Sequence, residues 1–192
     1  ILCAGAEAWV IPHLHRRKEP EYDRIENESN PVIIAGFGRM GQIVGRLLRL
    51  HGIAFTALER NQGQVDVVRR FGNKVYFGDP TRAEVLRAAG AADAKLLVVL
   101  LDDMEAVLRT VDVARRNFPN LKILARARNR RHAHLLMDRA VDGLVRETFL
   151  SSLALGEQVL TTLGIAPDAA ARAVELFRDH DEKTLVASHA IY

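Results

Sequence analysis

The chain has little of what would mark it for several classes of protein. Cys3 is the only cysteine among 192 residues, which excludes an internal disulfide and a cysteine-rich zinc site and suits a reducing compartment. The formal charge is only +3, so global charge gives no reason to expect nucleic acid or a membrane surface as partner. No recognisable nucleic-acid module accompanies the arginines. No apolar run reaches the roughly 20 residues that a membrane-spanning helix needs. There is no Tyr-x-x-x-Lys pair of the short-chain dehydrogenase kind. His13 and His15 lie two apart, as do His132 and His134, whereas two metal ligands on one helix face need i, i+4 spacing. All four histidines read as surface side chains, and no metal site and no catalytic residue is expected.

What is present fits a folded domain. Apolar residues make up 48% and charged residues 27%, and the length allows one core with extra material at its ends. Residues 1–15 open on "ILCAGAEAWVIP" and run through Trp9 and Pro12 toward the basic cluster of Arg16, Arg17 and Lys18. An apolar stretch, an aromatic and then basic residues is how a membrane helix ends on its cytoplasmic side. A short amphipathic or disordered leader fits the same residues, with Glu7 inside the run in its favour. Residues 16–31 are polar, of mixed charge, and contain Pro20 and Pro31, and they read as a linker.

From residue 32 strand-length apolar runs alternate with helical patterns. VIIAG, FTALE, KVYFGD, KLLVVLL, KILARA and a shorter DGLVRE are each separated by a segment of helical period. Such alternation predicts an α/β fold: a Rossmann-like, doubly wound parallel sheet covered by helices on both faces over residues 32–147. Residues 148–192 change to two helical stretches with no further strand, and they are expected to form a C-terminal helical appendage.

The first strand runs into Gly36, Gly38 and Gly41, spaced G-x-G-x-x-G. Gly36 permits a sharp turn, Gly38 lets a pyrophosphate approach the backbone, and Gly41 lets the helix pack closely on the sheet. The N–H groups of Arg39, Met40 and Gly41, at the start of that helix, then face the phosphates. The second strand ends in Glu59, 18 residues after Gly41, where an acid accepts hydrogen bonds from ribose hydroxyls and repels a 2′-phosphate. This favours NAD(H) or AMP over NADP, while Arg60 beside it could pair with a 2′-phosphate. Asp79 and Thr81 in "GDPTR", and Asp102 and Asp103 in "LLDDME", stand at carboxyl ends of strands, where open α/β sheets take ligands. For Asp103 the competing role is the cap of the next helix. Arg126, at the end of a later strand, could reach nucleotide phosphate. Arg128, Arg130 and Arg131 are expected to face solvent.

The segments "NPVIIAGFGRMGQIVGRLL", "RRFGNKVYFGDPTR", "LRAAGAADAKLLVV", "ILARAR", "VRETF" and "FRDHDEKTL" together resemble the nucleotide-binding KTN/RCK (TrkA-N type) regulatory domain of bacterial potassium transport proteins. More narrowly they resemble that of the glutathione-gated potassium efflux (Kef) family of potassium/proton antiporters. The resemblance implies a domain at the cytoplasmic face of the inner membrane, attached to an upstream transmembrane antiporter domain that residues 1–15 would end. It implies a homodimer that binds adenine nucleotide at the glycine loop and glutathione or its S-conjugates near the dimer interface, gates potassium efflux, and performs no chemistry. An accessory regulatory protein is a further possible partner. The residues 148–192 become a dimerisation and ligand-sensing tail.

The same resemblance carries the glutathione pocket onto Arg46 in the first helix, Arg146 in "VRET" and Asp181. Two arginine forks suit a ligand with two carboxylates. Asp181 departs from the asparagine of some relatives, and a carboxylate there repels an anionic ligand unless it receives the ligand's amino group. Helix period places Arg39, Gln42, Arg46 and Arg49 on one stripe and Met40, Ile43, Val44, Leu47 and Leu48 on the buried side. Two other readings share the fold: a soluble NAD-dependent oxidoreductase, and a nucleotide-sensing regulator of another potassium transporter or channel.

Overall fold

The structure, a computed structural model, describes residues 22–25, 29–70 and 74–189. The leader, including Cys3, Trp9, His13 and His15, lies outside the described residues.

Six strands alternate with helices. They are β1 (Val32–Ala35), α1 (Arg39–Leu50), β2 (Phe55–Glu59), α2 (Gln62–Arg70), β3 (Tyr76–Phe77), α3 (Ala83–Ala88), β4 (Leu96–Val99), α4 (Met104–Asn117), β5 (Lys122–Ala127), α5 (Arg130–Met137) and β6 (Gly143–Arg146). All neighbouring strands pair in parallel, in the order β3-β2-β1-β4-β5-β6. Continuous apolar runs such as Val32–Ala35 are buried along their whole length, as a sheet covered on two sides requires.

The crossovers between these parallel strands place the helices unevenly. Val65 and Val68 of α2, with Met40, Val44 and Leu48 of α1, pack under β1–β3. Residues of α3, α4 and α5 pack on the opposite face. On the α1 side, the half of the sheet made by β5 and β6 leaves Leu124 and Val145 exposed. Ile43 and Leu47 of α1, which helix period assigns to the buried side, are exposed as well, at 58% and 55%. The periodicity identified the apolar stripe correctly, but no helix among the described residues covers its outer edge.

The run 74–79 pairs over only two residues because β3 is the sheet edge, and the linker takes its open side. Asp23 N–H donates to the Phe77 carbonyl at 3.0 Å, and the Asp23 carboxylate accepts from the Phe77 N–H and from Arg69. Tyr22 lies against the Phe77 ring and Ile25 against the core.

After β6 come α6 (Phe149–Thr162) and α7 (Pro167–His189). They pair with each other and leave Leu155, Val159, Leu163 and Leu176 exposed. The C-terminal part of α7 returns to the domain, where Leu185 is buried against the core. No helix among the described residues is long and apolar enough to cross a membrane.

Candidate functional site

The strand order reverses between β1 and β4, and a cleft of about 240 Å³ opens there at the carboxyl ends of the strands. Gly36, Gly38, Glu59, Arg60 and Asp102 are among the residues that line it. This is where a doubly wound sheet receives a ligand.

Each glycine of the loop has a different physical reason to be there. Gly36 has φ +96°, and a methyl group on it would stand 2.8 Å from the Leu100 carbonyl carbon and the Leu101 nitrogen, so both the backbone and the neighbouring strand demand glycine. At Gly41 a methyl would collide with the Gly36 carbonyl oxygen, which holds the start of α1 tight against the turn. Gly38 differs: a methyl there would meet no atom within 4 Å. The protein's own packing does not require that glycine, and the open space belongs to the cleft. No side chain caps α1 at Gly38, and no acid lies in its first turn, so the partial positive charge of the helix end is left to an anion.

Glu59 lies at the floor of this arrangement, 8% exposed. One carboxylate oxygen accepts from Phe37 N–H and the other from Asn61 N–H, both at 2.9 Å. The acid thereby ties the glycine loop to the end of β2, and each oxygen retains a lone pair for a ribose hydroxyl. Arg60 is exposed beside it. Arg39 is exposed at the start of α1, and the Met40 side chain packs into the core under the sheet, so Met40 offers the cleft its backbone alone.

The remaining sequence candidates lie elsewhere. Asp79 accepts from Thr81 N–H at 3.0 Å, closing a turn after β3, and neither residue lines the cleft. Asp103 caps α4 by accepting from Ala106 N–H at 2.8 Å. Arg126 is committed to protein partners: it contacts Asp102 at 2.7 Å, Glu147 at 2.6 Å and the Leu100 carbonyl at 3.3 Å. Burial works against its charge, yet hydrogen bonds and attraction from Glu147 and Asp102 outweigh burial and hold its pKa above the ordinary guanidinium value. Asn61, Gln64, Leu100 and Leu101 also line the cleft. Sequence reasoning passed over them, although the position of the two leucines at the end of β4, across the strand-order reversal, was a usable signal.

A second polar cluster joins β6, α5 and α7. Asp181 accepts hydrogen bonds from both Arg146 and Arg130. Asp181 and Arg146 have side chains only 13% exposed, and the Arg146 guanidinium stands 3.8 Å from the Phe149 ring centroid. Arg130 is thus paired with α7, although more than a third of its side chain still faces solvent. Arg46 sits on the exposed side of α1, and it is the member of the expected trio that neither Asp181 nor Arg146 holds within this chain.

The histidines of α5 correct the surface expectation. His132 and His134 are 2% and 3% exposed. Residues two apart on a helix do face different ways, but the core covers one way and α7 the other. His134 Nε2 donates to the Leu185 carbonyl at 3.0 Å, since a carbonyl can only accept. His132 Nδ1 accepts from Arg128 N–H at 3.1 Å. Burial, then the nearby charges of Arg139 and Arg126, hold the His132 pKa below the ordinary imidazole value. No group of metal-ligand residues occurs among the described residues.

Parallel strands in this order, a glycine turn opening a helix, and an acid at the end of the second strand define a nucleotide-binding Rossmann domain. Residues 32–147 match the TrkA-N domain family and residues 151–192 match the potassium efflux system KefB C-terminal domain family. A solved structure of the Shewanella denitrificans Kef CTD in AMP-bound form is 43% identical, with TM-score 0.76, covering 84% of this chain and 99% of that one. The TrkA-N domain of the Escherichia coli inner membrane protein ybaL is 22% identical, with TM-score 0.61, over 67% of this chain and 96% of that one. The GsuK channel bound to NAD is 23% identical, with TM-score 0.61, over 69% of this chain and 24% of the channel; these two likenesses show the fold. The chain belongs to the TrkA-N family and is the KTN/RCK-type regulatory domain of a Kef potassium antiporter.

Proposed function

We infer that this domain binds an adenine nucleotide, AMP or NAD(H), in the cleft at the β1–β4 reversal and reports a glutathione-type ligand to the antiporter's gate without performing chemistry. The observation that carries the nucleotide part is the free space over Gly38, beside an uncapped helix N-terminus and above the Glu59 carboxylate. The AMP bound by the 43% identical Kef domain supports it. Gly36, Gly38, Gly41 and the N–H groups of Arg39 and Met40 would hold phosphate, Glu59 the ribose, and Arg60 the rim. Asp79, Thr81 and Arg126 would act by shaping the strand ends around the cleft.

The glutathione part assigns Arg46, Arg146 and Asp181 to a site completed in a homodimer, with the first helix of one subunit facing the tail of its partner. Ile43 and Leu47 on α1 and Leu124 and Val145 on the sheet form the exposed apolar surface that such a dimer would bury. In this reading residues 32–147 bind the nucleotide and residues 148–192 serve dimerisation and sensing at the cytoplasmic membrane face, joined to an upstream transmembrane antiporter domain. An accessory protein would dock on the assembled dimer. The differential contact energy that a ligand must supply to shift such a gate is about 1 to 3 kcal/mol.

Calorimetric titration with AMP, NAD, NADH, ATP, glutathione and a glutathione S-conjugate tests the reading, with NADH absorbance followed in parallel. The expected outcome is saturable nucleotide binding, separate binding of glutathione, and constant NADH. Sustained NADH consumption with a small carbonyl or hydroxyl compound would replace the sensor with an oxidoreductase.

A further inference from the structure

The cluster of Arg130, Arg146 and Asp181 holds two guanidinium groups against one carboxylate, one positive charge more than Asp181 offsets, with Asp181 and Arg146 mostly buried and Arg130 partly exposed. Arg146 also opens on a cleft of about 360 Å³ between β6, the start of α6 and α7. The rest of that lining is mainly apolar, from Leu144, Phe149, Leu150 and Leu185, with Glu182 from α7. A guanidinium at an apolar cleft is a receiver for a carboxylate on a neutral or apolar body. In this chain it already has one, since each oxygen of Asp181 takes a different arginine.

We propose that Asp181 is a tethered competitor: its carboxylate occupies the Arg130–Arg146 anion site, and a free carboxylate ligand binds there by displacing it and loosening α7 around Asp181. The inference rests on the reading above that this region takes an anionic peptide-like ligand, and it adds Arg130 to the site and an order of events. Because Asp181 belongs to the chain, it competes at an effective concentration of about millimolar or higher, so ligand binding is weak until that level is exceeded. The loosening is local. Further along α7, Leu185 remains anchored in the core and His189 lies 2.8 Å from Asp138, so loss of the Asp181 contact loosens the helix without detaching it.

The test uses the whole chain, its Asp181→Asn and Asp181→Ala variants, and AMP affinity as the control for a folded domain. Glutathione is titrated calorimetrically, and amide hydrogen exchange is followed over residues 181–189. Asparagine keeps the size and one acceptor but drops the charge, so D181N is expected to bind glutathione at least about tenfold more tightly than the parent. Saturating glutathione should speed exchange in α7 of the parent chain. Equal affinity in the two proteins would overturn the proposal, and weaker binding by D181N would show that Asp181 receives the ligand's ammonium group instead. Should neither protein bind glutathione, the glutathione reading fails and acetate decides this one. At matched ionic strength, acetate should raise the melting temperature of D181A more than chloride does, by neutralising the vacated Arg130–Arg146 pair, and should have no such advantage in the parent. No preference for acetate over chloride in D181A would overturn the internal-competitor assignment.

Discussion

The Phe37 N–H donates to the Glu59 carboxylate at 2.9 Å, which ties the glycine loop after β1 to the last residue of β2. The acid that would meet the ribose is therefore also a structural member of the loop that would meet the phosphates. Glu59→Ala strands a buried N–H, a loss of about 1 to 3 kcal/mol, and should weaken nucleotide binding as well. Chemical denaturation measures the first and calorimetry with AMP the second. Full stability with lost binding would separate the two roles.

Gly36 and Gly38 should respond in opposite ways to the same substitution. Gly36→Ala forces a side chain into a left-handed backbone and against β4, and is expected to destabilise the fold by about 1 to 3 kcal/mol or more. Gly38→Ala meets open space, so its melting temperature should match the parent while nucleotide affinity falls at least about tenfold, because the methyl intrudes where phosphate approaches. Differential scanning calorimetry and AMP titration together read this contrast.

Arg126 bridges the lip of the cleft at Asp102 to Glu147, which directly follows β6. Arg126→Met removes a largely buried cation and leaves Glu147 without its partner, so a loss of about 3 to 5 kcal/mol is expected at neutral pH. Arg126→Lys keeps the charge but cannot reach both carboxylates with a fork, and should fall between. Urea unfolding of the three proteins gives the order.

His132 should make the fold lose stability as the medium turns mildly acidic. Its folded pKa is held below the unfolded value of about 6.5, so below that pH the unfolded chain takes up a proton that the folded chain refuses. Stability then falls with decreasing pH until the folded pKa is reached, with a slope from this one group of at most about 1.4 kcal/mol per pH unit. His132→Asn, whose amide oxygen can still accept from Arg128 N–H, should flatten that slope relative to the parent. Parallel slopes in thermal melts between pH 7 and pH 5 would rule His132 out. Asp142 acts further down: its pKa is depressed by the Ile123 N–H and by Arg115, so its contribution is present above about pH 4 and is lost as pH falls below.

The order of strands and helices from residue 32 onward, the switch-point glycine turn and the acid ending β2 were legible in the sequence, because each follows from local rules. Apolar run length, helical period and the spacing of Gly36, Gly38, Gly41 and Glu59 need no knowledge of distant contacts. Which sides of α1 and α5 are covered was not legible. Ile43 and Leu47 have the period of buried residues and stay exposed, because no helix among the described residues covers β5 and β6 on the face that carries α1. His134 is buried because α7, some fifty residues further along the chain, returns over α5, and His132 because its side of α5 faces the core. The partners of Asp181 and Arg126 were hidden for the same reason: ion pairs between residues 21 to 51 positions apart are set by how the elements stack. The sequence by itself determined the elements, their parallel arrangement and the place of the cleft, since backbone geometry and hydrophobic period act locally. Only the tertiary structure decided which charges meet, because pairing depends on positions in space that no local pattern encodes.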